Sequence, residues 1–301
     1  MRNSSGVFPG NGYMNKSGFP LKRPGSRDIA SLETKARRIR ATCIQMAYDG
    51  RGGHLSSSLS YVDLLTVLFY QWLRINPGSP DDPDRDRFIL SKGHGCASYY
   101  VVLADLGIIP REKLREYNRE FGPLPNHPCL HMLPELEMSS GSLGHGLGFA
   151  TGLLYAMRLR KSRGRAVVLL GDGECNEGSV WEAAMTACAQ RLDHLLAIVD
   201  YNGIQAVGQS DQIAGGASLE EKFRSFGWHA QTVDGSDIAE IVEALEICPL
   251  GRGKPCAIVA RTRTGISFMN ELLWHYRKPS ADDLHRALEE LGVEPLYGEG
   301  V

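Results

Sequence analysis

Two side chains near the middle of the chain have the chemistry of a hard-cation site. Asp172 lies in Gly171-Asp172-Gly173 and Asn202 in Asp200-Tyr201-Asn202-Gly203. A carboxylate, an amide and a nearby backbone carbonyl make an all-oxygen set, which suits Mg²⁺ or Ca²⁺ carrying a phosphorylated cofactor. The flanking glycines let the backbone turn sharply and approach a ligand with no Cβ in the way. A Gly-Asp-Gly turn alone closes many ordinary strands, and Asn-Gly is an ordinary turn. The whole run, with its spacing and with Glu177 and Glu182 between, is what points to a bound cofactor.

Histidines supply a second set. Of the nine in the chain, three directly follow glycine: His54, His94 and His145. His127 sits in Asn126-His127-Pro128, and His275 in Trp274-His275-Tyr276. Each alone reads as a structural or surface histidine. Together, on loops after strands or between helices, they form a site of groups that titrate near neutrality. Glu177 and Glu182 flank the start of a helix and do not share a face closely. As acids at a helix N-terminus each gains ~0.3–1 kcal/mol from the dipole.

The elements that must position these groups follow from the apolar pattern. Ala166–Leu170 and Leu195–Val199 read as buried strands of a parallel sheet, with a helix from about Ser179 to Arg191 between them. Asp172 and Asn202 then stand at the carboxyl ends of neighbouring strands, where open α/β sheets bind ligands. Upstream, helical spacing runs from Asp28 to Asp49 and stops at a glycine-rich break. The segment His54–Leu59 comes next, followed by an apolar helix over Tyr61–Leu73. Arg87–Leu90 is a short strand leading into Ser91-Lys92-Gly93-His94, with helices expected near 97–105 and 111–119. Residues 121–145, rich in Pro, Gly and Ser, read as a long loop, and loops of that length inside a compact domain are usually functional. A helix follows over 146–160. Later strands are expected at His229–Asp234 and Cys256–Ala260, and later helices near 218–226, 236–247 and 280–291. The alternation indicates an α/β fold: a doubly wound, mainly parallel sheet with helices on both faces. Residues 1–27, without apolar periodicity, read as a flexible N-terminal arm, and 28–301 as one domain.

Composition narrows the function classes. The chain is 43% hydrophobic and 23% charged with a net charge of −2, which gives no electrostatic case for nucleic acid or a membrane surface. Its apolar runs are far shorter than a bilayer span, and no signal peptide is visible. Seven scattered cysteines without CxxC or zinc spacing read as reduced thiols in a cytoplasmic protein. Cys175 sits inside the cofactor loop but reads as a loop residue, not a nucleophile.

These motifs together resemble the transketolase family. The matching segments are GHLSSSLS from Gly53, LSKGH ending at His94, NHP around His127, GSLGHG from Gly141, GDGECNEG from Gly171, DYNGI ending at Ile204, and WHY from Trp274, so the likeness runs from about residue 35 to 278. The resemblance implies thiamine diphosphate as cofactor, with Mg²⁺ or Ca²⁺ held by Asp172, Asn202 and the carbonyl of Ile204. It implies cofactor contacts from His94, His275 and the Gly171, Gly173 and Glu174 turn, and backbone contacts to the aminopyrimidine from Gly141, Ser142 and Leu143. It places His54, His127 and His275 at the reacting sugar, and Glu177 and Glu182 at a subunit interface that links two active sites. Ser57-Ser58 stands where the family commonly has small Gly or Ala, and His145 where single-chain members often have Gln.

The family's pyrimidine-binding and third domains find no counterpart here. The chain therefore resembles the N-terminal subunit of a split transketolase, which transfers a two-carbon ketol unit from a ketose, a sugar phosphate by expectation, to an aldehyde. Activity is expected only with a separately encoded C-terminal subunit, in a heterotetramer with two copies of each chain. The rival readings are an alpha-type subunit of a 2-oxo-acid dehydrogenase, whose usual Asn-Gln-Gly differs from Asn176-Glu177-Gly178, deoxyxylulose-phosphate synthase, normally one longer chain, and a non-catalytic scaffold, against which the intact Asp172, Asn202 and histidines speak.

Overall fold

The computed structural model describes residues 28–205 and 207–296, with the backbone of two short strands upstream. These strands, β1 (Tyr13–Met14) and β2 (Pro20–Leu21), pair antiparallel; the rest of the expected 1–27 arm lies outside the described residues. In chain order the other strands are β3 (Arg87–Leu90), β4 (Ala166–Gly171), β5 (Leu195–Tyr201), the hairpin strands β6 (Ile204–Gln205) and β7 (Gly208–Gln209), β8 (His229–Asp234) and β9 (Cys256–Arg261). The helices are α1 (Ile29–Asp49), α2 (Leu55–Leu59), α3 (Val62–Val67), α4 (Cys96–Asp105), α5 (Gly146–Leu159), α6 (Gly178–Ala189), α7 (Ser210–Ala214), α8 (Leu219–Ser225), α9 (Ile238–Ile247) and α10 (Ala281–Leu291).

The central sheet runs β3-β4-β5-β9-β8, every neighbouring pair parallel. The inner strands β4, β5 and β9 are almost wholly apolar because both of their faces are covered, whereas the edge strand β8 is mostly polar and partly exposed. Along β4 the side chains alternate: Val167 and Leu169 join the core shared with α1, α3, α4 and α9. Ala166, Val168 and Leu170 join the opposite core, shared with α5, α6 and α8. Both faces of the sheet thus carry a hydrophobic layer, as the doubly wound expectation requires.

Local chemistry sets the helix ends. Asp28 caps α1 by accepting from Ser31 N at 3.1 Å, and α10 opens with a capping box between Ser280 and Asp283, which satisfies backbone donors left over by the first turn. Gly50 ends α1, and only a residue without Cβ fits there, since a Cβ would lie 2.4 Å from the Tyr117 carbonyl oxygen. Arg40 of α1 makes a bidentate pair with Asp63 at 2.9 and 2.6 Å and donates from Nε to the Thr264 carbonyl at 2.8 Å. This buried fork fastens α1, α3 and the segment after β9 into one unit.

Two expectations need correction, and one segment without an assignment gains a helix: Leu55–Leu59 forms α2, entered through His54 in a left-handed conformation at φ 31°. The helix expected over Tyr61–Leu73 is broken into α3 and a π-helical turn at Leu68–Trp72. The segment 111–119 is a 3₁₀ turn over Arg111–Glu116 and not an α-helix. Arg111–Glu116 is almost wholly charged and α2 carries three serines in five residues, so apolar periodicity carries little information in either stretch.

Candidate functional site

Gly171 at the end of β4 is in register with Asp200 of β5, and Asp200 with Ala260 of β9. The three strand ends therefore open side by side. Here lies a cleft of about 470 Å³ whose walls include Asp172, Asn202, Ile204, His54, His94 and His275. His127, Gly141, Leu143, Gly171, Gly173, Glu174 and Glu177 also line it. The structure thus gathers groups from segments far apart in sequence.

Asp172 is 6% exposed. Its Oδ2 accepts from Gly203 N at 3.1 Å and from Ser210 Oγ at 2.5 Å. Burial pushes its carboxyl up, the Ser210 hydroxyl opposes that, and the Asp200 charge adds to it. Asn202 Oδ1 accepts from Ile204 N at 2.9 Å, so its own turn fixes the amide beside the Ile204 backbone.

Beneath the cleft floor lies a polar knot that sequence reading missed. Lys92 and Asp200 form an ion pair with 1% and 0% of their side chains exposed. Asp200 also accepts from Ser60 Oγ at 2.6 Å and from Thr262 Oγ1. The Lys92 ammonium stands 5.1 Å from the Tyr61 ring centroid, a favourable placement for a desolvated cation. Four chain segments meet at this one charge pair, and Asn202 leaves the sheet two residues beyond it. The signal in sequence was only a lysine between a strand and a Gly-His, with an aspartate in an otherwise apolar strand.

Four histidines converge above. The His54 ring centroid lies 5.2, 5.7 and 4.8 Å from those of His94, His127 and His275. Burial first, then neighbouring imidazoles and the Lys92 cation, hold His54 down at about 4. Burial and then Lys92 hold His94 at about 2. Burial lowers His127, and burial with Lys92 lowers His275. The cluster is therefore neutral near pH 7, each ring offering one N–H and one acceptor nitrogen. His275 Nδ1 lies 3.2 Å from Ser57 Oγ, which involves the serine that replaces the family's usual small residue.

The loop 121–145 has no regular helix or strand, as expected, and Glu174 explains how it is held. Buried Glu174 accepts from Ser91 Oγ, from Gly144 N at 2.9 Å and from Gly171 N at 3.0 Å. Burial pushes its carboxyl up, and these donors oppose the rise. Glu174 lines the cleft, yet its hydrogen bonds tie the Asp172 turn to the Gly141–Gly144 turn. Gly141 has φ 140°, and a Cβ there would lie 2.6 Å from His127 Cδ2.

The remaining candidates divide. Glu177 borders the cleft at the entry to α6 and is exposed, while Glu182 is exposed on α6 outside the cleft lining. Ser142 is exposed and outside that lining, with its carbonyl 3.3 Å from His145 Nδ1. Cys175 is buried and its thiol pushed up by burial, which agrees with a non-nucleophilic role.

The residues fit a diphosphate cofactor and its cation. His54 Nδ1, Gln205 Nε2 and Ser140 Oγ are buried without a protein partner, and His54 and Gln205 line the cleft. Buried donors and acceptors are rarely left unpaired, so His54 Nδ1 and Gln205 Nε2 are open to bond a ligand in the cleft. Gly173 lies so close to Gln205 that a Cβ would come within 2.8 Å. No group of three or more His, Cys, Asp or Glu suited to a metal exists among the described residues. A cation here would have to take amide and backbone oxygens beside Asp172.

Comparison with known proteins gives a consistent picture. Residues 32–297 match the family model described as transketolase, thiamine diphosphate binding domain. The chain is 41% identical over 276 residues to an apulose-4-phosphate transketolase subunit of Actinobacillus succinogenes, covering 90% of this chain and 99% of that protein. It is 39% identical to a 6-deoxy-6-sulfo-D-fructose transketolase subunit of Clostridium sp., covering 89% and 99%. Human transketolase is 35% identical over 289 residues, which cover 92% of this chain and 44% of the human one. Among solved structures, transketolase from Campylobacter jejuni superposes with a TM-score of 0.83 at 27% identity, covering 90% of this chain and 44% of that one.

Proposed function

The chain belongs to the transketolase family, and from that membership we propose that it is the diphosphate-binding subunit of a two-component transketolase, moving a two-carbon ketol unit from a ketose, a sugar phosphate in this reading, to an aldehyde. The observation that carries this reading is the single cleft joining Asp172, Asn202 and Ile204 to four neutral imidazoles. Two relatives spanned almost end to end bear subunit names, whereas the chain spans under half of the single-chain transketolases. Those facts support a separate partner subunit, and we assign a heterotetramer with two copies of each chain. The domain assignment, 28–301 as one diphosphate-binding unit, belongs to the same proposal.

In this reading Asp172, the Asn202 amide oxygen and the Ile204 carbonyl hold Mg²⁺ or Ca²⁺, with the diphosphate on the Gly171–Gly173 turn beside His94. Bound thiamine diphosphate supplies the electron sink for the fragment released when the ketose carbon–carbon bond breaks. The chain's own groups do the rest. Gly141, Ser142 and Leu143 present backbone to the pyrimidine ring, positioned through Glu174. His54, His127 and His275, kept neutral by burial, donate to and accept from sugar hydroxyls and shuttle protons there. Glu177 and Glu182, exposed in the single chain, meet the partner subunit.

Reconstitution tests this. With a pyrimidine-binding partner, thiamine diphosphate and Mg²⁺, the mixture should consume ketose and leave pyruvate untouched, and this chain alone should be silent. Turnover of pyruvate, or full activity without a partner, would overturn the assignment.

A further inference from the structure

The cleft offers a diphosphate little positive charge. Among the described residues that line it, Lys92 is the one lysine or arginine, and its ammonium is already paired with the buried carboxylate of Asp200. Asp172, Glu174 and Glu177 stand on the same walls. Apart from a bound cation, an anionic ligand here must be held by neutral donors: backbone N–H groups, imidazoles and side-chain amides. Gln205 lines the cleft and carries such a donor. Its Nε2 is buried and has no partner within the protein.

The local fold fixes where that amide stands. Gln205 follows Ile204 in β6 and pairs with Gly208 of β7. Both flanks of this hairpin are tied to the Asp172 turn. Gly203 N and Ser210 Oγ donate to Asp172 Oδ2 at 3.1 and 2.5 Å, and Ser210 N donates to the Gly203 carbonyl at 3.0 Å. The Gln205 side chain lies along the backbone of the same turn: a Cβ on Gly173 would come within 2.8 Å of Gln205 Cγ and Cδ and 3.0 Å of its Oε1. Gly173 thus makes room for an amide, which rests against the Gly171–Gly173 turn.

We propose that Gln205 is a further cofactor-binding residue, donating an Nε2 N–H to a terminal oxygen of the diphosphate. The inference rests on the diphosphate-binding reading of the cleft and adds to it a donor outside the Asp172, Asn202 and Ile204 set. A buried N–H without a partner destabilises the ligand-free protein, and satisfying it on binding favours the complex. This separates Gln205 from a residue that merely supports the fold. Removing its amide weakens the ligand and leaves the ligand-free chain as stable as before. An amide turned the other way would offer Oε1 to the cation, and the two arrangements respond oppositely to a carboxylate at this position.

Titration calorimetry with Mg²⁺ present reads the affinity of the full chain for inorganic pyrophosphate and, separately, for thiamine diphosphate; thermal melts read the ligand-free chain. Gln205→Ala should bind both ligands at least about tenfold more weakly, as expected for one lost hydrogen bond to a charged group, with an unchanged ligand-free melting temperature. Gln205→Glu keeps the shape, has no donor and adds a negative charge, so it should bind both more weakly still. Tighter binding by Gln205→Glu would place the cation at this side chain and overturn the proposal. Wild-type affinity in Gln205→Ala would do the same, as would a loss confined to thiamine diphosphate, because the contact would then lie on its rings. A Gln205→Ala chain that melts earlier without ligand would assign the amide to the fold and also overturn it. Failure of the wild-type protein to bind either ligand, alone or with its partner subunit, would sink the diphosphate-binding reading itself. A wild-type chain that binds, matched by its variants, would remove Gln205 alone.

Discussion

Acid should unfold this protein through its histidine cluster, and the size of the effect follows from the structure. An unfolded histidine with a pKa of about 6.5 is roughly nine-tenths protonated at pH 5.5, whereas folded His94, held at about 2, and His54, at about 4, stay neutral. The unfolded state therefore binds more protons, and stability present above pH 6.5 is lost as the pH falls toward the folded values. Between pH 7.5 and 5.0 this linkage removes about 2 kcal/mol through His94. His54 is only part-buried, so solvent screening reduces its share to about 1 kcal/mol. His127 and His275, both lowered, act in the same sense. Against a typical total of about 5–15 kcal/mol, that is a large fraction. The raised carboxyls of Asp172 and Glu174 gain protons on folding and oppose the trend at lower pH, so the decisive quantity is a difference between variants. Urea unfolding of wild type and His94→Asn at pH 7.5, 6.5, 5.5 and 5.0 measures it. Asn keeps a donor and an acceptor but does not titrate, so the pH dependence should shrink by about 2 kcal/mol over that range. Identical pH dependence in the two proteins would refute the reasoning, because His94 would then not be held neutral by its surroundings.

Other outcomes follow from the same site. Lys92→Met leaves Asp200 buried without its cation and should cost about 3–5 kcal/mol; Lys92→Met/Asp200→Asn should cost less than the single change in thermal melts, and strict additivity would remove the coupling. Gly141→Ala puts a Cβ 2.6 Å from His127 Cδ2 at a φ of 140°, so kcat/KM for ketose in the reconstituted complex should fall at least about tenfold, with backbone strain of about 1–3 kcal/mol; unchanged kinetics would show that His127 can move freely. Asp172→Ala should abolish metal-dependent thiamine-diphosphate binding in the assembled complex without unfolding it, and titration calorimetry showing unaltered affinity would exclude Asp172 as a ligand to the metal.

The sequence by itself determined the sheet and the cofactor turn. Strands buried on both faces must be apolar at every position, and Ala166–Leu170, Leu195–Val199 and Cys256–Ala260 therefore declare themselves as unbroken runs; β4, β5 and β9 include all three. Long helices declared themselves too, with caps at Asp28 and Ser280 and stops at Gly50 and Gly292. Asp172, Asn202 and their glycines were legible because sharp turns at strand ends restrict residue type. The tertiary structure alone decided which groups meet beyond those turns. Lys92 reaches Asp200 across 108 residues, Ser60 reaches it across 140, and Ser91 reaches Glu174 across 83. No periodicity or spacing encodes such contacts. Glu174 read as one more acid beside the cofactor, and only its burial between two glycine turns gives it the task of holding them together. Likewise nothing local distinguishes His54, His94, His127 and His275, which converge, from the exposed His145. Their neutrality arises from desolvation and from a buried lysine beneath them, and both exist only once the chain has closed over the end of the sheet.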